Sequence, residues 1–244
     1  MLLVDIGNTA LKWRTLGAVS GTVKAVYHQR RWSEALLSVV SQLEDTPEQI
    51  LIGSVAGRDN DRDMQDRVRQ AFGVTPQFTY ACARQLGVVN AYAEPRRLGV
   101  DRWLAMIESF HRFGPSLIVD AGSALTIDMV DGQGVHHGGY IVPGIGMQHQ
   151  SLYGATADVK GAVALGQMGF GASTEACVNN GVWQMALGLV SAAWRDAEVL
   201  NGAPVSLVMT GGDHNAIADQ YAQANRCPNL VLDGLARIAR ESGA

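Results

Sequence analysis

Four short segments of this 244-residue chain combine residue types suited to phosphate chemistry. The first is Asp5-Ile6-Gly7-Asn8-Thr9-Ala10-Leu11-Lys12. A turn bearing Gly7 lets backbone N–H groups approach phosphate oxygens with no side chain in the way. Asn8 and Thr9 add side-chain donors. Asp5 suits Mg²⁺, directly or through water, because hard cations take oxygen ligands. Lys12 is one of three lysines, with Lys24 and Lys160, and as a point charge it can neutralise phosphate. An ordinary hairpin with Asp and Asn capping its turn has the same letters.

The second segment is Asp120-Ala121-Gly122-Ser123, followed by Asp128 beyond an apolar run. Ser123 can hydrogen-bond a phosphate and Asp120 can hold a cation. Asp128 reads as an outward-facing residue near a strand end. The third is Thr210-Gly211-Gly212-Asp213. Paired glycines there let a flat ring such as adenine lie against the backbone, and Asp213 can serve as a helix N-cap. The fourth is Leu98-Gly99-Val100-Asp101-Arg102-Trp103, with Tyr92 upstream. Asp101 can accept the proton of a substrate hydroxyl and Arg102 can clamp an anion. A capped helix start with a surface ion pair is the alternative.

The elements that must carry these segments follow from hydrophobic pattern. Strands are expected at 2–6, 10–16, 22–27, 49–55 and 76–81, with helices from Ser33 as N-cap to about 43, at 58–72 and at 100–113. Gly114-Pro115 stops the last of these. The pattern then restarts. Strands are expected at 116–119, 125–130 and 135–141, helices at about 144–153 and 173–197, and a strand at 205–209. A helix, a short strand near Leu230 and a final helix close the chain. Strand, Asp-x-Gly-polar, strand, turn, strand thus occurs twice, about 115 residues apart. The repeat implies two α/β halves, 1–114 and 115–244, with a nucleotide gripped by both turns. Chance recurrence of a short pattern in a chain of 28 glycines is the competing explanation.

Composition narrows the class. A formal net charge of -4 lacks the basic footprint of a nucleic-acid binder and argues against work at an anionic membrane. Cys82, Cys177 and Cys227 are widely spaced, and read as reduced, mostly buried thiols. No apolar stretch spans a bilayer and no signal-peptide pattern opens the chain, so a soluble cytoplasmic protein is expected. Asp59, Asp61 and Asp63 have calcium-loop spacing, but Met64 and Gln70 stand at the glycine and glutamate positions, and a solvated helix start is expected. His136-His137 has no third ligand in view. Residues 166–171 read as a flexible glycine-rich loop. No GxxxxGK[ST] segment occurs, which excludes a P-loop kinase.

With these elements in order, the chain resembles the type III pantothenate kinases, members of the actin-like sugar-kinase superfamily. The resemblance covers nearly the whole chain and rests on DIGNT at 5–9, GVDRW at 99–103, DAGSALTID at 120–128, GGYIVPG at 138–144 and TGGD at 210–213. It implies two ribonuclease-H-like halves, each a mixed sheet with flanking helices. It implies transfer of the ATP γ-phosphate to the primary hydroxyl of pantothenate, the first step of coenzyme A synthesis. By match, Asp5 to Lys12 and Ser123 contact ATP. Tyr92, Gly99, Val100, Asp101, Arg102 and Thr174 contact pantothenate, with Asp101 as general base. Asp120 matches a ligand of a monovalent cation, K⁺ or NH₄⁺. A homodimer joined by helices of the second half is also implied. The family usually has Thr where this chain has Ser123, and serine keeps the hydroxyl. A rival within the fold is a kinase for a sugar or amino sugar. A rival from another class is a nucleotide-binding transcription accessory protein without kinase activity, against which Asp5, Asp101, Arg102 and Asp120 speak.

Overall fold

The computed structural model describes residues 1–17, 21–155 and 164–241. The chain divides into two compact units, Met1–Glu108 with Asn229–Ala244, and Ser109–Pro228.

The first unit is built on the strands β1 (Leu2–Ile6), β2 (Ala10–Thr15), β3 (Lys24–Tyr27), β4 (Ile50–Ser54) and β5 (Gln77–Thr79), in spatial order β3-β2-β1-β4-β5. β1 pairs antiparallel with β2 and parallel with β4, so it lies at the centre of the sheet. A central strand covered on both faces must be apolar throughout. Leu2, Leu3, Val4 and Ile6 are all fully buried. One face of the sheet packs on helices α1 (Trp32–Ser41) and α2 (Arg58–Phe72), through Leu2, Val4, Ile6, Leu11 and Trp13 against Leu36, Val39, Val40, Met64 and Val68. After β5 come a small hairpin, β6 (Arg84–Gln85) and β7 (Val88–Val89), and then helix α3 (Val100–Phe113). The chain's last helix, α7 (Leu230–Glu241), packs back onto β1 and β4.

The second unit repeats the plan. Strands β8 (Ser116–Ala121), β9 (Ala124–Val130), β10 (His136–Pro143), β11 (Ser206–Thr210) and β12 (Asn225–Arg226) lie in the order β10-β9-β8-β11-β12. Here β8 is the central strand, antiparallel to β9 and parallel to β11. Helices α4 (Ile145–Ala155), α5 (Thr174–Asn201) and α6 (His214–Ala218) complete the unit. Val182, Trp183, Ala186, Leu187 and Val190 of α5 join Leu117, Val119, Ile127 and Leu207 of the sheet in one core. The identical strand order and sense in both units confirm two mixed sheets with flanking helices.

Several local expectations are corrected. The short strand expected near Leu230 is β12 at Asn225–Arg226, and Leu230 instead opens α7, whose apolar periodicity runs through Leu235 and Ile238. Ser33 does not cap α1. Arg31 holds the N-cap position, and the Ser33 hydroxyl donates to Asp63 Oδ2 at 2.5 Å, tying α1 to α2. That bond holds the Asp63 carboxyl below its usual range. Asp61 is not solvated. It is 3% exposed and accepts the Tyr80 hydroxyl at 3.1 Å. Burial pushes its carboxyl up, against the lowering pull of Ser54, Tyr80 and Arg58. Of the cysteines only Cys227 is buried; Cys82 is half-buried and Cys177 exposed. Among the described residues no helix is long and apolar enough to cross a membrane.

Candidate active site

The first Asp-Gly turn is the β1–β2 connection. Across it Asp5 pairs with Lys12, and on its other side with Gly53 of β4. Directly paired residues project to one face of a sheet. Asp5, Lys12 and the bare Gly53 therefore share the face opposite the α1–α2 core. A Cβ placed on Gly53 would meet Leu104 at 2.9 Å and Val100 at 3.9 Å. Asp5 and Lys12 thus lie on the face covered by the first turns of α3, the helix that carries Asp101. The turn is closed by the Gly7 N–H donating to the Ala10 carbonyl at 3.1 Å. Asn8 and Thr9 stand exposed at its tip.

Asp101, Arg102 and Tyr92 are assembled by α3 and the loop before it. The Gly99 carbonyl accepts from the Trp103 N–H at 3.0 Å, which opens the helix. Asp101 lies in the first turn, where the helix dipole favours a carboxylate. Its Oδ1 accepts the Arg102 backbone N–H at 2.8 Å. A Cβ on Gly99 would approach that same oxygen to 2.5 Å, so glycine leaves the carboxylate its place. Arg102 is not a surface residue: it is 7% exposed, and its Nη1 donates to the Tyr92 hydroxyl at 3.0 Å. A guanidinium buried beside a phenol is not a solvated surface group, and its planar fork is able to hold an anion.

Two supporting residues escaped sequence reasoning. Asn90 donates through Nδ2 to the Cys82 and Pro95 carbonyls and accepts the Tyr92 N–H at 2.9 Å, so it shapes the loop that presents Tyr92. Gln85 of β6 accepts the indole N–H of Trp103 at 3.1 Å. Buried Trp N–H groups need a partner, and that need is the one signal that could have pointed to Gln85.

In the second unit Asp120 pairs with Thr126 of β9 and Thr210 of β11. The turn is one residue shorter than the first, closed by Gly122 N–H to Ala124 O at 3.0 Å. Ser123 is exposed at its tip and Asp120 is half-buried. Gly144 backs the turn, its N–H donating to the Ser123 carbonyl at 3.0 Å. Thr210-Gly211-Gly212-Asp213 lies against it too, with the Asp213 N–H donating to the Ala121 carbonyl at 2.9 Å. Gly211 has φ +93°, and a Cβ there would lie 2.3 Å from the Ala121 carbonyl oxygen and 2.4 Å from Asp120 Oδ1. Asp213 occupies the N-cap position of α6 without a side-chain capping bond. Thr174 is exposed as the first residue of α5, where Ser173 caps the helix through the Ala176 N–H.

Asp128 corrects its expectation. It points inward, 2% exposed, and bonds His136 Nε2 at 2.9 Å across the β9–β10 ladder. His137 instead bonds Asp131 at 2.7 Å. Burial raises the Asp131 carboxyl, but the bonds from His137 and from the Val135 and Gln133 N–H groups outweigh it and hold it below its usual range. The two histidines therefore serve two different carboxylates. No group of three His, Cys, Asp or Glu that could enclose a metal occurs among the described residues.

A family model for type III pantothenate kinase matches residues 1–196. A type III pantothenate kinase of Alcanivorax borkumensis is 40% identical over 240 residues, 98% of either chain. Among solved structures, a conserved Baf-family transcriptional activator from Campylobacter jejuni superposes with a TM-score of 0.64 at 19% identity, over 100% of this chain and 99% of the other. A 2-dehydro-3-deoxygalactonokinase protein from Sinorhizobium meliloti superposes with a TM-score of 0.59 at 13% identity, over 99% and 98%. At such identities the two structures bear on fold alone, and the fold they share with this chain is the α/β architecture described above.

Proposed function

Since the chain belongs to the type III pantothenate kinase family, we propose that it works through Asp101 as general base, Arg102 as acceptor clamp and the Asp5 to Lys12 turn as ATP phosphate loop. The reaction is the ATP-dependent phosphorylation of pantothenate to 4'-phosphopantothenate, which opens coenzyme A synthesis. The observation that carries the site reading is the Gly99–Asp101–Arg102–Tyr92 cluster at the start of the helix that covers the Asp5 and Lys12 face.

In this reading the primary hydroxyl of pantothenate gives its proton to Asp101 as its oxygen forms a bond to the γ-phosphorus. The bond from that phosphorus to the bridging oxygen breaks, and ADP leaves. Such transfers need little covalent help, so positioning and charge neutralisation do most of the work. Arg102 with Tyr92, Gly99 and Val100 orients the acceptor, and Thr174 adds a further contact. Asp5, Ile6, Gly7, Asn8, Thr9, Ala10, Leu11 and Lys12 receive the phosphates, and Ser123 is read as a further ATP contact.

The residues fit the cations expected with ATP. Asp5 and Asp120 are half-buried carboxylates at equivalent strand ends, and both offer only hard oxygen donors. Mg²⁺ would be held by Asp5, directly or through water, and K⁺ or NH₄⁺ by Asp120. Bound there, they would neutralise phosphate charge. A homodimer formed through the second unit is part of the reading. Exposed Tyr140, Ile141, Met185, Val199 and Leu200 support it, and a monomeric mass in solution would refute it. Cytoplasmic residence accords with the substrate. The kinase reading is favoured over a nucleotide-binding accessory role, because a non-catalytic protein has no use for an acid and a buried clamp so arranged.

Arg102→Lys tests the clamp. Lysine keeps the charge but loses the planar fork. The KM for pantothenate is expected to rise about tenfold while the KM for ATP holds. An unchanged pantothenate KM would remove Arg102 from substrate binding.

A further inference from the structure

His28 immediately follows β3 and is 3% exposed. Its ring bridges two backbone groups. Nδ1 lies 3.0 Å from the Arg30 N, and Nε2 lies 3.0 Å from the Gly7 carbonyl oxygen. The Arg30 amide can only donate, so Nδ1 is an unprotonated acceptor. The Gly7 carbonyl can only accept, so Nε2 carries the proton and donates it. The tautomer is therefore set by its two partners. The backbone N–H of His28 also donates to the Thr9 carbonyl, at 3.4 Å. One residue thus ties back the carbonyls at both ends of the Gly7-Asn8-Thr9 tip.

The consequence lies in the peptide plane. In a trans peptide the C=O and the following N–H point in opposite directions, and no cis bond occurs in the described chain. Drawing the Gly7 carbonyl toward His28 turns the Asn8 N–H away from it. Drawing the Thr9 carbonyl the same way does likewise for the Ala10 N–H. The turn after His28 stores strain for this placement: Gln29 and Arg30, neither a glycine, have φ of 45° and 63°. Such conformations persist where surrounding structure over-determines them. Here the Arg31 N–H donates to the His28 carbonyl at 2.7 Å, and the Trp32 ring lies 5.8 Å from the imidazole.

We propose that His28 is a positioning residue for ATP: its imidazole holds the Gly7 carbonyl back so that the Asn8 N–H faces the incoming phosphates. The proposal rests on the reading of residues 5–12 as the phosphate loop.

Steady-state kinetics of His28→Ala, His28→Gln, His28→Asn and Lys12→Ala, with thermal melts alongside, test it. His28→Ala is expected to raise the KM for ATP about tenfold, with the pantothenate KM within about twofold. Gln carries an N–H at the reach of Nε2 and should recover most of the loss. Asn reaches only the Arg30 amide and should recover none. Equal recovery by Asn and Gln would assign His28 to the 28–31 turn and overturn the proposal. So would a wild-type ATP KM in His28→Ala, or a Gln variant that fails to fold. Lys12→Ala separates the two levels: a raised ATP KM there beside an unchanged one in His28→Ala sinks the His28 role alone. Unchanged ATP KM in both sinks the phosphate-loop reading as well.

Discussion

Asp101→Asn is expected to bind ATP and pantothenate near wild-type affinity while losing about 10²- to 10⁴-fold in kcat. The substitution keeps size and leaves an oxygen to accept the Arg102 N–H that now bonds Oδ1 at 2.8 Å. The helix start and the clamp therefore survive. What disappears is the proton acceptor. A change confined to chemistry lowers kcat with KM little changed, and titration calorimetry beside initial rates separates the two. A variant with near wild-type kcat would remove Asp101 from the mechanism.

Gly211→Ala carries the largest expected effect on stability. Its backbone, at φ +93°, is one that side chains rarely adopt, and a Cβ would stand 2.3 Å from the Ala121 carbonyl oxygen. That oxygen is held in place by the Asp213 N–H at 2.9 Å, so it cannot step aside cheaply. Strain and overlap together cost roughly 3 kcal/mol or more, which lowers Tm by roughly 6–12 °C. Because the same Cβ would crowd Asp120 Oδ1, any monovalent-cation activation should weaken as well. Gly212 is the internal control. Nothing lies within 4 Å of its notional Cβ, so Gly212→Ala should melt close to wild type. Equal melting of the two variants would refute the packing argument.

Much of the fold was legible because the central strands declare themselves. Leu2–Ile6 and Ser116–Ala121 are apolar runs ending in the same Asp-x-Gly letters, and the repeated strand order follows from them. The amphipathic run of α2 was equally plain. What stayed hidden depends on partners distant in sequence or on turns that break local preference. The β6–β7 hairpin turns on Leu86 and Gly87, both at positive φ; leucine at such a position is unusual, and asparagine or glycine is the expected signal. Asp128 looked outward because buried carboxylates are rare, and its partner sits across the ladder at His136. β12 is two residues long, too short for periodicity to register. The residues expected to act on substrate announced themselves by type and spacing. Those that position them did not, because Asn90 and His28 act through backbone groups, and a sequence shows only side chains.

The central claim, pantothenate phosphorylation by this chain, is tested most directly by following ADP release from the purified protein with ATP and Mg²⁺, with and without pantothenate. Sugars and amino sugars serve as alternative acceptors and Asp101→Asn as the blank. The expected result is ADP formed in step with 4'-phosphopantothenate, only when pantothenate is present, and slowed at least about a hundredfold in the variant. ATP binding with no pantothenate-dependent turnover, or turnover driven by a sugar instead, would contradict it.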